Sequence, residues 1–314
     1  MKYVGVDIGG TNLKAGLVDE SGELLATQKM KVASIADDEG LAWTVASLVQ
    51  ELARTVNIPV SDVASVGVGV PGTVEIRSGS INYTCNLPLR NVPLRKLFHR
   101  YLSIPLYIEN DANCAALAEY LVGAGRDSKR FVTVTLGTGV GAGIIVDGKI
   151  WSGAHGAASE LGHLIIEVDG IPCTCGKCGC TERYCSATAI IRMAKEACTL
   201  HPDCAILKAV NGDVDKITAK TVFDLAKEGD DIANRVFRRY VKYLTIANNN
   251  VVSFLDPDMI VLGGGVSRAG DFLLDAVREL LPKYLMYPVL PMPEIALAQL
   301  GNDAGIIGAA LLGR

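Results

Sequence analysis

A chain of 314 residues, 49% of them apolar and 20% charged, exceeds one ordinary hydrophobic core and has too much apolar content for a disordered polypeptide. Its net charge of −4 disfavours a polyanionic partner such as nucleic acid. No apolar run is long enough to cross a bilayer, and Met1-Lys2-Tyr3-Val4 runs into a strand pattern with no secretory signal. No membrane partner is therefore expected, and the expected location is cytoplasmic.

The spacing predicts a strand over 3–8 ending at Gly9-Gly10-Thr11-Asn12, then strands over 13–18 and 23–28, a β-meander with a glycine-rich first corner. Leu41, Val45, Leu48, Leu52 and Val56 recur at helical spacing. Strands over 64–70 and 106–108 follow; Glu109-Asn110-Asp111 closes the second, and a helix is predicted over 112–121. The pattern then begins again with a strand over 131–136, a corner at Gly137-Thr138-Gly139, a strand over 141–146 and a hairpin signal at Asp147-Gly148. Val6-Asp7-Ile8-Gly9-Gly10 falls against Val134-Thr135-Leu136-Gly137-Thr138, and Leu17-Val18-Asp19 against Ile145-Val146-Asp147 in the same register. That repeat predicts two related α/β domains facing each other across a cleft. Helices are predicted over 187–198, 221–227, 231–255, 272–281 and 304–312. Strands are predicted over 259–262, running into Gly263-Gly264-Gly265, and over 295–298. The expected division is a smaller domain over 1–112, completed by the C-terminal helix at 302–314, and a larger one over 113–301.

Several of these points carry chemistry. Glycine corners let backbone N–H groups approach a phosphate closely, although such turns also serve only to reverse the chain. No Gly-Lys-Ser/Thr follows any of them, so a Walker loop is excluded. Asp7, at the end of the first strand, would hold the Mg²⁺ that travels with a nucleotide triphosphate, or else cap a turn. Asp111 lies at the carboxyl end of a strand, where ligands of α/β sheets gather. It would orient an alcohol and accept its proton, or cap the helix that follows; the two roles are compatible. Nine cysteines are an odd number, and four fall between Cys173 and Cys180, which suits metal ligation better than disulfides. His163 with Cys173, Cys175, Cys178 and Cys180 offers five donors for the four positions of a structural zinc site. Glu160 and Glu182 flank that loop and could accept bonds from sugar hydroxyls.

With Asp7-Ile8-Gly9-Gly10-Thr11-Asn12, Glu109-Asn110-Asp111-Ala112-Asn113, Leu136-Gly137-Thr138-Gly139-Val140-Gly141, Glu160-Leu161-Gly162-His163 and the cysteine loop, the chain resembles the ROK family (repressors, open reading frames and kinases). The likeness runs over its whole length and is to the glucokinase-like members. It implies a pair of actin-like, hexokinase-type (ribonuclease H-like) domains that bind ATP, Mg²⁺ and a hexose, assembled as a homodimer or homotetramer. By similarity Asp111 is the catalytic base, and Asn86, Asn110, Glu160, His163 and Glu182 contact the sugar with it. Gly9, Gly10, Thr11, Asn12, Thr138, Gly139 and Gly264, with Asp7, match positions at the nucleotide. His163, Cys173, Cys175 and Cys180 match the zinc ligands, which leaves Cys178 spare. Two departures lie near the sugar: Thr84-Cys85 before Asn86, and Thr181 in place of an apolar residue before Glu182. Kinases of N-acetylmannosamine, N-acetylglucosamine, fructose and allose share nearly all these residues. Repressor members carry a helix-turn-helix segment ahead of the first glycine motif; six residues precede Asp7 here, so a kinase is expected over a DNA-binding regulator. A sugar binder without catalysis would have no use for the phosphate-binding residues.

Overall fold

The structure, a computed structural model, describes residues 1–32, 37–84 and 87–314. Asn86, predicted to contact substrate, lies outside the described residues, as does Cys85. The chain divides into two compact units: Met1–Ser128 with Gly143–Ser159 and Gln299–Arg314, and Lys129–Ala142 with Glu160–Ala298. The first division thus falls at 128, beyond the helix that follows Asp111, where the sequence pattern had suggested 112.

In the first unit, β1 (Lys2–Ile8), β2 (Asn12–Asp19) and β3 (Leu24–Lys31) form the expected antiparallel meander. Helix α1 (Asp38–Thr55) begins at Asp37, whose carboxylate accepts the Gly40 N–H at 2.7 Å, an N-cap of the usual kind. Its predicted stripe of Leu41, Val45, Leu48 and Leu52 is buried against the sheet. β4 (Val63–Val70) pairs parallel with β1. A small antiparallel sheet of β5 (Thr73–Glu75), β6 (Ser80–Tyr83) and β7 (Arg90–Val92) follows, then α2 (Leu94–Phe98). β8 (Leu106–Asn110) adds parallel to β4 and leads straight into α3 (Asp111–Val122). The strand order is β3-β2-β1-β4-β8.

The repeat reproduces this order. β9 (Arg130–Leu136), β10 (Val140–Val146) and β11 (Lys149–Ile150) form the second meander, turning at Asp147 and Gly148, both with positive φ. The sequence then runs through α4 (Glu182–Cys185), α5 (Ala187–Leu200), α6 (Ala205–Ala209), α7 (Ala219–Lys227) and α8 (Asp231–Leu255). β12 (Met259–Gly263) pairs parallel with β9; α9 (Asp271–Leu280) and then β13 (Glu294–Leu297) follow, β13 parallel to β12. The order β11-β10-β9-β12-β13 matches that of the first sheet strand for strand. Among the described residues no helix is long and apolar enough to cross a membrane.

The last helix, α10 (Ala304–Leu311), belongs to the first unit and packs on β1, β4 and α3. It is apolar on nearly every side and buried throughout most of its length, as expected of an element enclosed by others. Its approach depends on missing side chains: a Cβ at Gly67 would overlap the Ala309 carbonyl, and one at Gly308 the Cys114 carbonyl. The buried Glu119 carboxylate secures the entry to this helix by accepting the N–H groups of Gln299 at 3.1 Å and Leu300 at 2.8 Å. Gly67→Ala sets backbone against backbone, so it is expected to cost roughly 3 kcal/mol of unfolding free energy. Urea denaturation checks this, and a loss under about 1 kcal/mol would mean that α10 yields freely.

Candidate active site

The first unit holds one group of polar residues at the carboxyl ends of β1 and β8. After β1 the chain turns at Gly9, whose N–H donates to the Asn12 carbonyl at 3.0 Å; Gly10 and Thr11 form the exposed tip, and the Thr11 carbonyl accepts the Val32 N–H. Asp7 stands opposite Lys14 in the β1–β2 register, and α10 faces it at Gly305, where a Cβ would lie 3.4 Å from its carboxylate. Burial, with the nearby Asp111 charge added and Lys14 opposing, pushes the Asp7 carboxyl up to about 6. Burial raises Asp111 too, against hydrogen bonds from the backbone N–H groups of Ala112 and Asp111 itself. Two carboxyls thus share a poorly hydrated place, an arrangement that a cation relieves.

This has a measurable consequence in the ligand-free protein. Between its ordinary value of 3.8 and about 6, Asp7 binds its proton in the folded but not the unfolded state, so this stability contribution is present at low pH and is lost as pH rises through 6. Asp7→Asn is therefore expected to stabilise the protein at pH 7.5 by up to roughly 3 kcal/mol. The gain should shrink as the pH falls from 6 towards 4. Urea unfolding at pH 7.5 and 4.5 tests it; an equal difference at both would remove the electrostatic explanation.

Asn110 and Asp111 divide the work at the start of α3. Asn110 is the cap: its side-chain oxygen accepts the Ala112 N–H at 2.9 Å and the Asn113 N–H at 3.2 Å, while its amide donates to the Gly72 carbonyl at 3.1 Å. Asp111 is the first helical residue, and its Oδ1 accepts the Ala112 N–H at 2.9 Å. Because Asn110 satisfies the helix end, the Asp111 carboxylate is available for chemistry. Beneath this turn lie residues whose part is not apparent from sequence. Glu109, Asn113 and Ser152 are buried, and the Glu109 carboxylate accepts from all of the Asn110 N–H, the Asn113 amide and the Ser152 hydroxyl.

In the second unit the matching corner is also tight, with the Gly137 N–H donating to the Gly139 carbonyl at 2.9 Å. The first turn of α5 braces it: the Ala187 N–H donates to the Gly137 carbonyl at 2.8 Å, and the Thr188 hydroxyl to the Thr138 carbonyl at 2.9 Å. Gly264, at φ +83°, sits against the backbone of Leu136, where a Cβ would come within 2.5 Å of the carbonyl oxygen. Only glycine accommodates both that dihedral and that approach. The Glu182 Oε2 accepts the Val140 N–H at 3.1 Å and lies against Gly139, where a side chain would displace it. Glu160 is exposed and immediately precedes a short 3₁₀ turn, Leu161–His163.

That turn brings His163 to the cysteine loop. One donor atom from each of His163, Cys173, Cys175 and Cys180 falls within 4.8 Å of the others. The His163 Nδ1 is 3.7 Å from Cys173 Sγ, and the Cys175 and Cys180 sulfurs are 3.5 Å apart. Three thiols and an imidazole fit tetrahedral Zn²⁺ by donor type and number. Cys178 is exposed and is not among these four. Of the two departures, Thr181 is fully buried with its hydroxyl donating to the Leu164 carbonyl at 2.9 Å, and Thr84 is buried with its hydroxyl donating to the Leu87 carbonyl at 2.6 Å. Both hydroxyls serve the scaffold.

A protein-family model described as ROK family matches residues 3–314. The chain belongs to the ROK family. The glucokinase of Halalkalibacterium halodurans is 38% identical to it over 316 residues, covering 99% of this chain and 94% of that protein. The glucokinase of Thermotoga maritima is 35% identical over 311 residues, covering 99% and 96%. A crystal structure of a ROK family glucokinase from Streptomyces griseus in complex with glucose and AMPPNP matches with a TM-score of 0.83 and 35% identity, covering 99% of this chain and 98% of that one. The fold of this ROK chain is accordingly the α/β, actin-like two-domain fold, in line with the doubled strand order of its sheets.

Within this ROK chain, Asp7, Gly9, Gly10, Thr11, Asn12, Asn110 and Asp111 belong to the first unit. Thr138, Gly139, Glu160, His163, Glu182, Gly264 and the three clustered cysteines belong to the second.

Proposed function

We propose that this ROK chain is an ATP-dependent hexose kinase, a glucokinase that transfers the γ-phosphoryl group of ATP to glucose to give glucose 6-phosphate. The observation that carries the proposal is Asp111. It is a carboxylate at the start of a helix already capped by its neighbour, beside a second acid, in a chain aligned end to end with glucokinases. As the catalytic base, Asp111 would orient the sugar hydroxyl and take its proton as the phosphoryl group arrives. A carboxyl raised by burial binds that proton more readily than an exposed one does. Asp7 would hold the Mg²⁺ that accompanies ATP. The corners at Gly9, Gly10, Thr11 and Asn12, and at Thr138, Gly139 and Gly264, would line the nucleotide phosphates and let them approach the backbone without side-chain bulk.

Asn86, Asn110, Glu160, His163 and Glu182 are proposed to bind the sugar hydroxyls with Asp111. His163, Cys173, Cys175 and Cys180 would hold a structural Zn²⁺, which in a closed four-ligand site supplies folding energy and no open coordination position. With Nδ1 turned towards Cys173, the His163 Nε2 is left for a sugar hydroxyl. A homodimer or homotetramer is part of the same proposal; apolar surface at Phe254 and Val289, 84% and 89% exposed, is consistent with it.

A coupled ADP-release assay over glucose, fructose, allose, N-acetylglucosamine and N-acetylmannosamine, with identification of the product, tests the proposal. Glucose is expected to give the highest kcat/KM, with glucose 6-phosphate as product. ADP release no faster with any sugar than without would end the kinase assignment, and a preference for an N-acetylhexosamine would move the substrate.

A further inference from the structure

We propose that Glu109 is a positioning residue for phosphoryl transfer: its buried carboxylate fixes the strand-to-helix turn from which Asp111 projects. This rests on the assignment of Asp111 as the base. Among the described residues no side chain is found hydrogen-bonding the Asp111 carboxylate, whose partners are the backbone N–H groups of Ala112 and of Asp111 itself. Its aim is therefore set by the backbone of residues 110–112.

Glu109 holds that backbone from below. The same oxygen, Oε1, accepts the Asn110 N–H at 2.8 Å and the Asn113 amide at 3.0 Å, which joins the last residue of β8 to the first turn of α3. Its other oxygen accepts the Ser152 hydroxyl at 2.8 Å, from a segment more than forty residues away in sequence. Asn113 continues the network, with its side-chain oxygen 3.2 Å from the Ser159 hydroxyl. Glu109 is 3% exposed, Asn113 2% and Ser152 8%, so these bonds are made where water does not compete.

Stability alone is a poor reason for a carboxylate here. All three of its partners are neutral donors, and a buried charge without an opposite charge is costly relative to an apolar group of the same shape. What a carboxylate adds is acceptance of three donors with no competing donor of its own, which leaves the turn one arrangement. A base displaced by about 1 Å loses on the order of 100-fold in rate, so a rigid turn under Asp111 has a direct catalytic consequence.

The test compares the parent with Glu109→Met, which keeps the volume and removes every acceptor, and Glu109→Gln, which keeps one. The measurements are kcat and KM for glucose and ATP, glucose Kd by calorimetry, and Tm. Glu109→Met is expected to lower kcat by on the order of 100-fold while glucose Kd stays within about threefold, and Glu109→Gln to recover most of the loss. A Glu109→Met protein that is less thermostable but turns over at the parental kcat per folded site overturns the proposal. Should Glu109→Met not fold, Asn113→Ala removes one of the three bonds to Glu109, together with the bond from the Ser159 hydroxyl: a kcat at least about tenfold lower at unchanged KM supports the proposal, and a parental kcat overturns it. A parent without sugar-dependent ADP release would remove the kinase assignment and this proposal with it. An active parent with equally active variants removes this proposal alone.

Discussion

Asp111→Asn is expected to lower kcat by about 10³- to 10⁴-fold while glucose still binds with a Kd within about threefold of the parent. The amide matches the carboxylate in shape and can hydrogen-bond a hydroxyl, but it cannot take the proton. The helix does not suffer, because Asn110 supplies the cap through its bonds to the N–H groups of Ala112 and Asn113. Folding should in fact improve. Burial raises the Asp111 carboxyl, so its ionisation opposes the folded state as pH rises, and an uncharged amide escapes that cost. The combined signature is a nearly inactive enzyme with a higher Tm at pH 7.5 and little gain at pH 4. Single-turnover kinetics, calorimetry and thermal melts at both pH values decide it. Parental kcat would remove Asp111 from the reaction, and a lower Tm at neutral pH would contradict its assigned environment.

Removal of the proposed Zn²⁺ is expected to have the larger structural effect. The parent should carry about one zinc per chain, and Cys180→Ser much less. Cys173 and Cys180 are buried, but the loop between them is Thr174-Cys175-Gly176-Lys177-Cys178-Gly179, with no large apolar side chain to build a core. Backbone bonds close it at a few points, including the Cys173 N–H to the Lys177 carbonyl at 2.7 Å and the Gly176 N–H to the Cys173 carbonyl at 3.0 Å. Structural zinc sites of this donor type contribute on the order of 10 kcal/mol to the fold they organise, as much as a whole domain has to spare. A Cys180→Ser or chelated protein should therefore be cut by trypsin after Lys177, and its KM for glucose should rise, since His163 and Glu182 flank the loop. A metal-free protein with parental Tm, protease resistance and KM would show that the four donors fold without an ion.

Much of this was legible in the sequence, for reasons that differ from element to element. The repeat of strand, glycine corner and strand announced two sheets of the same order, because tight turns constrain residue type strongly. The grouping of His163 with Cys173, Cys175 and Cys180 was visible because these residues are near neighbours in the chain. The sheet of β5, β6 and β7 was not foreseen: strands of three or four residues broken by Pro88 and Pro93 carry too little alternation. The sequence reading offered Asp111 as the cap of α3, whereas the cap is Asn110; both residue types cap helices, so pattern alone misplaces it by one position. The choice follows from the Asn110 amide reaching the Gly72 carbonyl, a contact across 38 positions. Glu109 was hidden for the same cause. A glutamate at a strand end reads as a surface group until Ser152 arrives from a later hairpin to share its burial.

The place of α10 bears on how the polypeptide matures during synthesis. A nascent chain emerges from the ribosome N-terminus first, yet β1 and β4 lack their covering helix until residues 304–311 have been translated. The earliest strands must then wait, with apolar surface open to solvent or chaperones, while the intervening segment is made. The first unit is completed late, when α10 closes over strands made about 240 to 300 residues earlier.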